Sequence, residues 1–467
     1  MQNVQLHHFK SLFTSGFCKF INWRALQILI AILILNPQYV FSQIKDTVIN
    51  KAANPKFTYT LFNNTNLKVK VGGYIQPRAQ YTEWNPGSTD KNGDYKNDDF
   101  GFAVRRLRLG ANLTYSDKFL FRLGFGENNF NEKGKDFPYL KILDLYATYN
   151  LSKPFAISFG KSTYDGLSRF AAPSTSTMMQ TDLNVITQPT LNYTDDITRE
   201  LSLVFLGDIG PLNYRLVFIK PFSFDYTGAN PATPDEGVAQ FTDHYRNIQY
   251  TTYIKYDFLD KENNRGPNFI GTYLGKKKLL SVGIGAKYQH NALYSETNAV
   301  TTYHDMNLWS ADMFWDQPVN TSWMAAINGY VGYFDYDLGP NYLRNVGVNN
   351  PAFGIDNVYN IVNGSGNAYP YLGSGQSFYG HFGILFNKMG KQTDWGQLEP
   401  YVVLQSSDFD ALEENMVVGS VGLNWYLNGH YSKFSLDIQN RPLFSEVDLK
   451  ETDRKYMCVL QYNYILH

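Results

Sequence analysis

The sequence predicts an all-β fold, a transmembrane antiparallel β-barrel of about sixteen strands. Apolar and polar residues alternate with period two in segment after segment from residue 67 to the chain end. Aromatics are abundant, with 35 Tyr and 33 Phe, yet apolar residues reach only 43% and mean hydropathy is −0.33, which excludes a row of spanning helices. The segments are joined by connections that alternate long and short. Spanning strands dilute their apolar signal by alternation, gather aromatics at the membrane edges, and join through short inner turns and longer outer loops.

Taken in order, the chain opens with an export signal. Lys10, Lys19 and Arg24 give a basic start with no acid before Asp46, 25–35 is the apolar core, and Val40-Phe41-Ser42 offers a cleavage site. Eleven apolar-biased residues are too few for a retained membrane anchor. Removing 1–42 takes away three positive charges and moves the formal charge from −1 to −4. The mature chain keeps one cysteine, Cys458, so no internal disulfide staples it. Residues 43–66 read as a periplasmic lead-in, and no basic run suggests nucleic acid.

The first expected strand, 67–81, sets Val69, Val71, Ile75 and Ala79 against Lys68, Lys70, Gln76, Arg78 and Gln80. Then 102–115 and 119–126 form a hairpin with Arg106, Arg108 and Arg122 on one face and Leu107, Leu109, Phe121 and Phe125 on the other. The remaining strands are expected at 141–149, 155–161, 199–205, 213–218, 250–258, 279–289, 306–315, 322–334, 377–386, 397–409, 416–427, 431–441 and 455–466. Two connections strain the alternation: 259–278 is long for an inner turn and 410–415 short for an outer loop. An even strand count leaves both termini on the periplasmic side. A soluble propeller or stacked sandwich would need blade repeats or facing apolar sheets, and no repeat is found.

Lipid energetics orient the arginines. A charge facing mid-bilayer costs roughly 2 to 4 kcal/mol, so Arg106 and Arg108 should face the lumen. Arg105, on the opposite face by parity, is expected to snorkel to the headgroups. Lys68, Lys70, Arg78, Arg106, Arg108 and Arg122 then share one pore-lining wall, on which Asp144 is the only acid of the first four strands. A basic wall favours anions, unless its bases pair with carboxylates on other walls.

The segments VGGYIQPRAQY (71–81), RRLRLG (105–110) and LDLYATYNLSKPFAISFGK (143–161) resemble the phosphate-selective porin O and P family, in particular its Bacteroidetes-type members. The resemblance covers nearly the whole mature chain. It implies a porin-like, sixteen-stranded, trimeric barrel with basic lumen side chains in a Gram-negative outer membrane. Arg78, Arg106, Arg108 and Arg122 match the family's pattern of basic residues on alternating strands, but no phosphate ladder can be matched position by position. The third external loop of sixteen-stranded porins folds inward, and by strand count that loop is 162–198 here, with Lys161 at its foot and Arg169 within it. The alternative for this segment is an extracellular flap.

The function expected from the sequence is passive diffusion of small hydrophilic solutes with a preference for anions, phosphate among them, in contact with outer-membrane lipid and without a cofactor. A lipase-like barrel enzyme with His381, and a gated transporter or adhesin using 335–376, are the alternatives. Enzyme and metal motifs are missing. Gly160-Lys161-Ser162 lacks the first glycine of a phosphate loop. Asp90, Asn92 and Asp94 have calcium-loop spacing, but Tyr95 replaces the turn glycine. The histidines show no close ligand pair.

Overall fold

The structure, a computed structural model, describes residues 58–60, 66–133, 140–222, 236–319, 321–356, 362–389 and 395–466. The expected export signal 1–42 and most of the lead-in lie outside these residues. Sixteen strands close into one antiparallel barrel. They are β1 Leu67–Glu83, β2 Asp98–Tyr115, β3 Phe119–Phe130, β4 Lys141–Ser152, β5 Phe155–Ser162, β6 Glu200–Ile209, β7 Leu212–Lys220 and β8 Gln249–Asp257. The second half comprises β9 Leu279–Thr297, β10 Val300–Pro318, β11 Met324–Asp337, β12 Gly375–Phe386, β13 Gln397–Phe409, β14 Met416–Tyr426, β15 Ser432–Phe444 and β16 Glu451–Leu466. Each strand pairs with the next, and β16 returns to β1 with Gln461 opposite Arg78. Closure leaves no long sheet edge, which is what a lipid environment demands of strands.

Alternation decides the two faces. On β8, Tyr250, Ile254 and Tyr256 point outward, while Gln249, Thr251, Lys255 and Asp257 are buried inside. The outer face stays apolar around the barrel, as with Phe159, 62% exposed, and Ile284, 57% exposed. Phe155, Phe205, Phe218 and Tyr250 form a chain of ring contacts across neighbouring strands on this face, at centroid spacings of 6.0, 5.9 and 5.7 Å.

Four features depart from the pattern read in the sequence. First, residues 290–305, expected as a loop, are mostly strand. β9 and β10 run on to a tight turn at Asn298 and Ala299, with φ of 51° and 62°. Two left-handed residues are what a two-residue hairpin needs, and alanine there hides the turn because a Cβ disfavours that region. Second, the connection between β8 and β9, 258–278, folds into the barrel and buries Glu262, Asn264, Phe269 and Thr272.

Third, β2 carries a bulge at Arg105. Gln76 faces Arg106 and Pro77 faces Val104, so Arg105 is the extra residue. Pro77 has no N–H to give the ladder, which makes this a favourable place to interrupt it. Parity reverses beyond the bulge. Val104 opposes Pro77 on the outer face; Ala103 is buried inside opposite Arg78; and Phe100 and Phe102 are exposed outward.

Fourth, the lumen is not uniformly polar. On β10, Met306, Leu308 and Phe314 face inward, and with Tyr330, Phe334 and Tyr336 of β11 and Tyr379 of β12 they form an internal core. Apolar residues of two long connections complete it, among them Phe170 and Ile186 of 163–199 and Tyr371 and Leu372 of 338–374.

Candidate functional site: a lumen crossed by the third outer loop

Residues 163–199, between β5 and β6, carry Leu167, Phe170, Ala171, Val185 and Ile186, all buried. An outer loop this apolar must find cover, and the inner faces of β9–β12 supply it. Burying a side chain such as Phe170 stabilises the docked loop by roughly 1.5 to 3 kcal/mol. Two short 3-10 turns, Arg169–Ala171 and Val185–Thr187, fix the direction of the chain. Polar contacts pin it: the Arg169 amide donates to Asp312 Oδ2 at 2.8 Å, and the Tyr336 hydroxyl donates to the Ile186 carbonyl at 2.5 Å.

The middle of the loop reaches the opposite wall. Gln76 Nε2 of β1 donates to the Thr175 carbonyl at 3.1 Å. Lys433 Nζ of β15 donates to the Met178 carbonyl at 2.7 Å, and Asn424 Nδ2 of β14 to the Met179 carbonyl at 2.8 Å. Gln180 Nε2 donates to the Tyr379 hydroxyl at 2.7 Å. Residues 175–180 thus run along the wall from β1 through β15 and β14 to β12, and 181–182 turn back to β1 and β2.

At the end of this stretch sits Asp182. Its Oδ2 accepts from Arg78 Nη2 at 2.9 Å and its Oδ1 from Arg105 Nε at 2.6 Å, with Arg106 Nη2 3.6 Å from Oδ1. Burial works to raise the Asp182 carboxyl, but Arg78, Arg105 and Arg106 outweigh it and hold it well below the usual carboxylate range. Arg105 therefore faces the lumen and not the headgroups: the bulge puts two consecutive arginines on one side. Arg106 also takes Gln76 Oε1 at 2.9 Å, and Arg78 takes Gln461 Oε1 at 2.9 Å.

The other predicted bases lie apart. Arg108 donates through Nη1 to the Glu127 carbonyl at 2.8 Å and has no carboxylate partner among the described residues. Arg122 Nε is 3.9 Å from Asp144, which also meets Arg199 Nε at 3.4 Å. Glycines leave room for these side chains: a Cβ on Gly110 would fall 2.6 Å from Arg122, and one on Gly126 2.8 Å from Arg108 Cδ. Lys161 pairs with Asp196 at 2.5 Å. Lys68 and Lys70 are exposed at the terminal end of β1, away from the Asp182 cluster.

Arg169, expected in the constriction, is 1% exposed and does not face open lumen. It makes a two-point contact with Glu262 of the inward-folded turn, Nη2 donating to Oε1 at 2.7 Å, and its guanidinium lies 3.7 Å from the Phe314 ring centroid. Lys255 Nζ joins Glu262 at 2.9 Å and Asp257 at 2.6 Å. Burial raises the Glu262 carboxyl, but Arg169 and Lys255 overcome it and bring it down to about 2. The loop from one end of the barrel and the turn from the other are thereby locked together, and Glu262 was not among the residues singled out from the sequence. His381, on the inner face of β12, is likewise covered, stacked on Tyr330 and edge-on to Phe170.

Between 180–184, Asn367, Tyr369 and Tyr371 of the 338–374 connection, and Ser420, Asp437 and Gln439 on the wall, a cavity of about 50 Å³ remains. Asp437 accepts from the Tyr401 hydroxyl at 2.7 Å.

Comparison with known proteins agrees with the architecture. Residues 74–203 match the family of phosphate-selective porin O and P. The matched stretch runs from the VGGYIQPRAQY segment through the crossing loop. Among solved structures, the barrel is similar to OprB of Pseudomonas putida, with a TM-score of 0.50, 7% identity, and coverage of 84% of this chain and 93% of that one. OmpF of Salmonella typhi gives 0.49 at 10% identity over 86% and 98% of the two chains. The outer membrane channel DcaP of Acinetobacter baumannii gives 0.49 at 14% over 87% and 100%. OprB alone of these reaches the level that supports a shared fold. No curated protein matches the sequence.

Proposed function

We propose that this chain is a porin of a Gram-negative outer membrane that passes small hydrophilic solutes by diffusion, with a preference for anions and without a catalytic step. The observation that carries the reading is a closed sixteen-strand barrel whose lumen is narrowed by its own third outer loop against a wall rich in arginine. Among the described residues, Arg78, Arg105, Arg106, Arg108 and Arg122 of that wall and Arg199 at the end of the loop contact only Asp182 and Asp144 as carboxylates. Pairing is therefore partial, and the excess charge favours anions over cations in a narrow, low-dielectric passage.

In this reading Arg122 and, buried in the wall behind the docked loop, Arg78, Arg106 and Arg108 give the anion path its positive potential, Lys68 and Lys70 draw anions toward its periplasmic end, Lys161 holds the foot of the loop, and three copies assemble side by side in lipid. The test is purified protein in a planar bilayer under a salt gradient. The reversal potential should show anions more permeant than cations, and liposomes should swell in small neutral solutes. A folded barrel that passes neither ions nor small solutes would overturn the proposal.

A further inference from the structure

Asp182 differs from the other acids of the lumen in what surrounds it. Its two oxygens are held by different guanidiniums, Oδ2 by Arg78 at 2.9 Å and Oδ1 by Arg105 at 2.6 Å, with Arg106 within 3.6 Å. Three cations meet one carboxylate at contact distance, and the nearby Asp437 offsets the excess only in part. Gln461 and Gln80 accept from Arg78, Gln76 accepts from Arg106, and a second acid, Asp437, lines the cavity beside Asp182. The three arginines belong to the barrel wall, on β1 and β2, whereas Asp182 arrives on the loop that crosses the lumen. The cavity of about 50 Å³ borders Asp182 and Asp437 and touches none of the three arginines, so a solute carboxylate reaches them only at the position that Asp182 gives up.

We propose that Arg78, Arg105 and Arg106 form a binding site for small carboxylate-bearing solutes, and that Asp182 is its tethered occupant, competing with solute for the same guanidiniums. The site rests on the channel reading for its role in transport, although not for its chemistry. Planar carboxylates suit guanidinium groups that approach each oxygen separately, and such charge-assisted bonds are about twice as strong as neutral ones. A tethered ligand acts at a high effective concentration, so free carboxylates compete weakly while it is in place. Its position on a loop lets the occupant leave without breaking the wall.

The test uses the full-length protein in a planar bilayer, titrating succinate against chloride current. Asp182→Asn keeps the side-chain shape and removes the charge; the succinate concentration for half block should fall by about 10-fold or more. Adding Arg105→Gln to that variant should return the block to the wild-type level. Asp182→Ser serves as a second variant, with heat-modifiable gel mobility reporting that each barrel is folded. Unchanged block in both folded variants overturns the proposal, and equal gain of block by sulfate overturns its carboxylate part. Calorimetry of succinate binding to the Asp182→Asn protein in detergent reads the site without conduction. A protein that never conducts yet gains succinate affinity refutes the channel and keeps the site; one that conducts but gains no affinity does the reverse.

Discussion

The interior has two halves that treat charge in opposite ways. On the β5–β11 side, Arg169, Lys255 and Lys287 are buried with acids within reach: Glu262 and Asp257 for the first two, Asp165 and Glu200 for the third. Arg215 there is satisfied by Asn264 and the Pro267 carbonyl, with Phe269 below it at 4.0 Å. On the β1–β3 side, arginines outnumber acids among the described residues, and the acid they contact at their centre, Asp182, is lent by a loop. Alternating strands with polar inner residues build both. What separates them is whether another segment folds in with matching charge, so lumen chemistry is set by the connections as much as by the wall.

The comparison can be broken most severely by removing the segment the two halves share. Deleting 171–187 should open the lumen and raise single-channel conductance severalfold; an unchanged conductance from a folded barrel would show that this loop does not limit flow. Next, Glu262→Gln strips the packed half of its central acid and leaves Arg169 and Lys255 short of charge. It should destabilise the docked loop by about 3 to 5 kcal/mol, read as earlier thermal unfolding in detergent. Arg106→Glu with Arg108→Glu should move the reversal potential toward cations, measured on protein shown to be folded. No shift would mean that the arginine wall does not govern passage.

The smallest effect is in pH. Because the folded Glu262 carboxyl lies below its ordinary value, its contribution is fully present above the unfolded pKa and is lost as pH falls through about 2. The stability gap between wild type and Glu262→Gln should therefore stay level from pH 8 to about 5 and close only under stronger acid. A gap that closes by pH 6 would contradict the paired geometry.

Much of the barrel was legible because lipid outside and polar groups inside impose period two, and most of the strands carry that signal. The bulge was not legible. Inserting Arg105 changes which face each preceding residue occupies without altering composition, and Pro77 on the neighbouring strand was the available hint. The internal core was hidden for another reason. On β10, Met306, Leu308 and Phe314 face inward and Trp309, Met313 and Trp315 outward, so periodicity cannot tell the faces apart. Asp182 and Glu262 lie in connections, where no period exists; the signals available were the apolar Leu167, Phe170, Val185 and Ile186 in one and the length of the other.

The crossing loop also dictates an order of assembly. Met179 and Met178 accept hydrogen bonds from Asn424 and Lys433, residues 245 and 255 positions later in the chain. Until β14 and β15 are in place, the far anchors of the loop do not exist, and contacts so distant in sequence form slowly. In the finished barrel the pairing of β16 with β1 closes the wall around the docked loop.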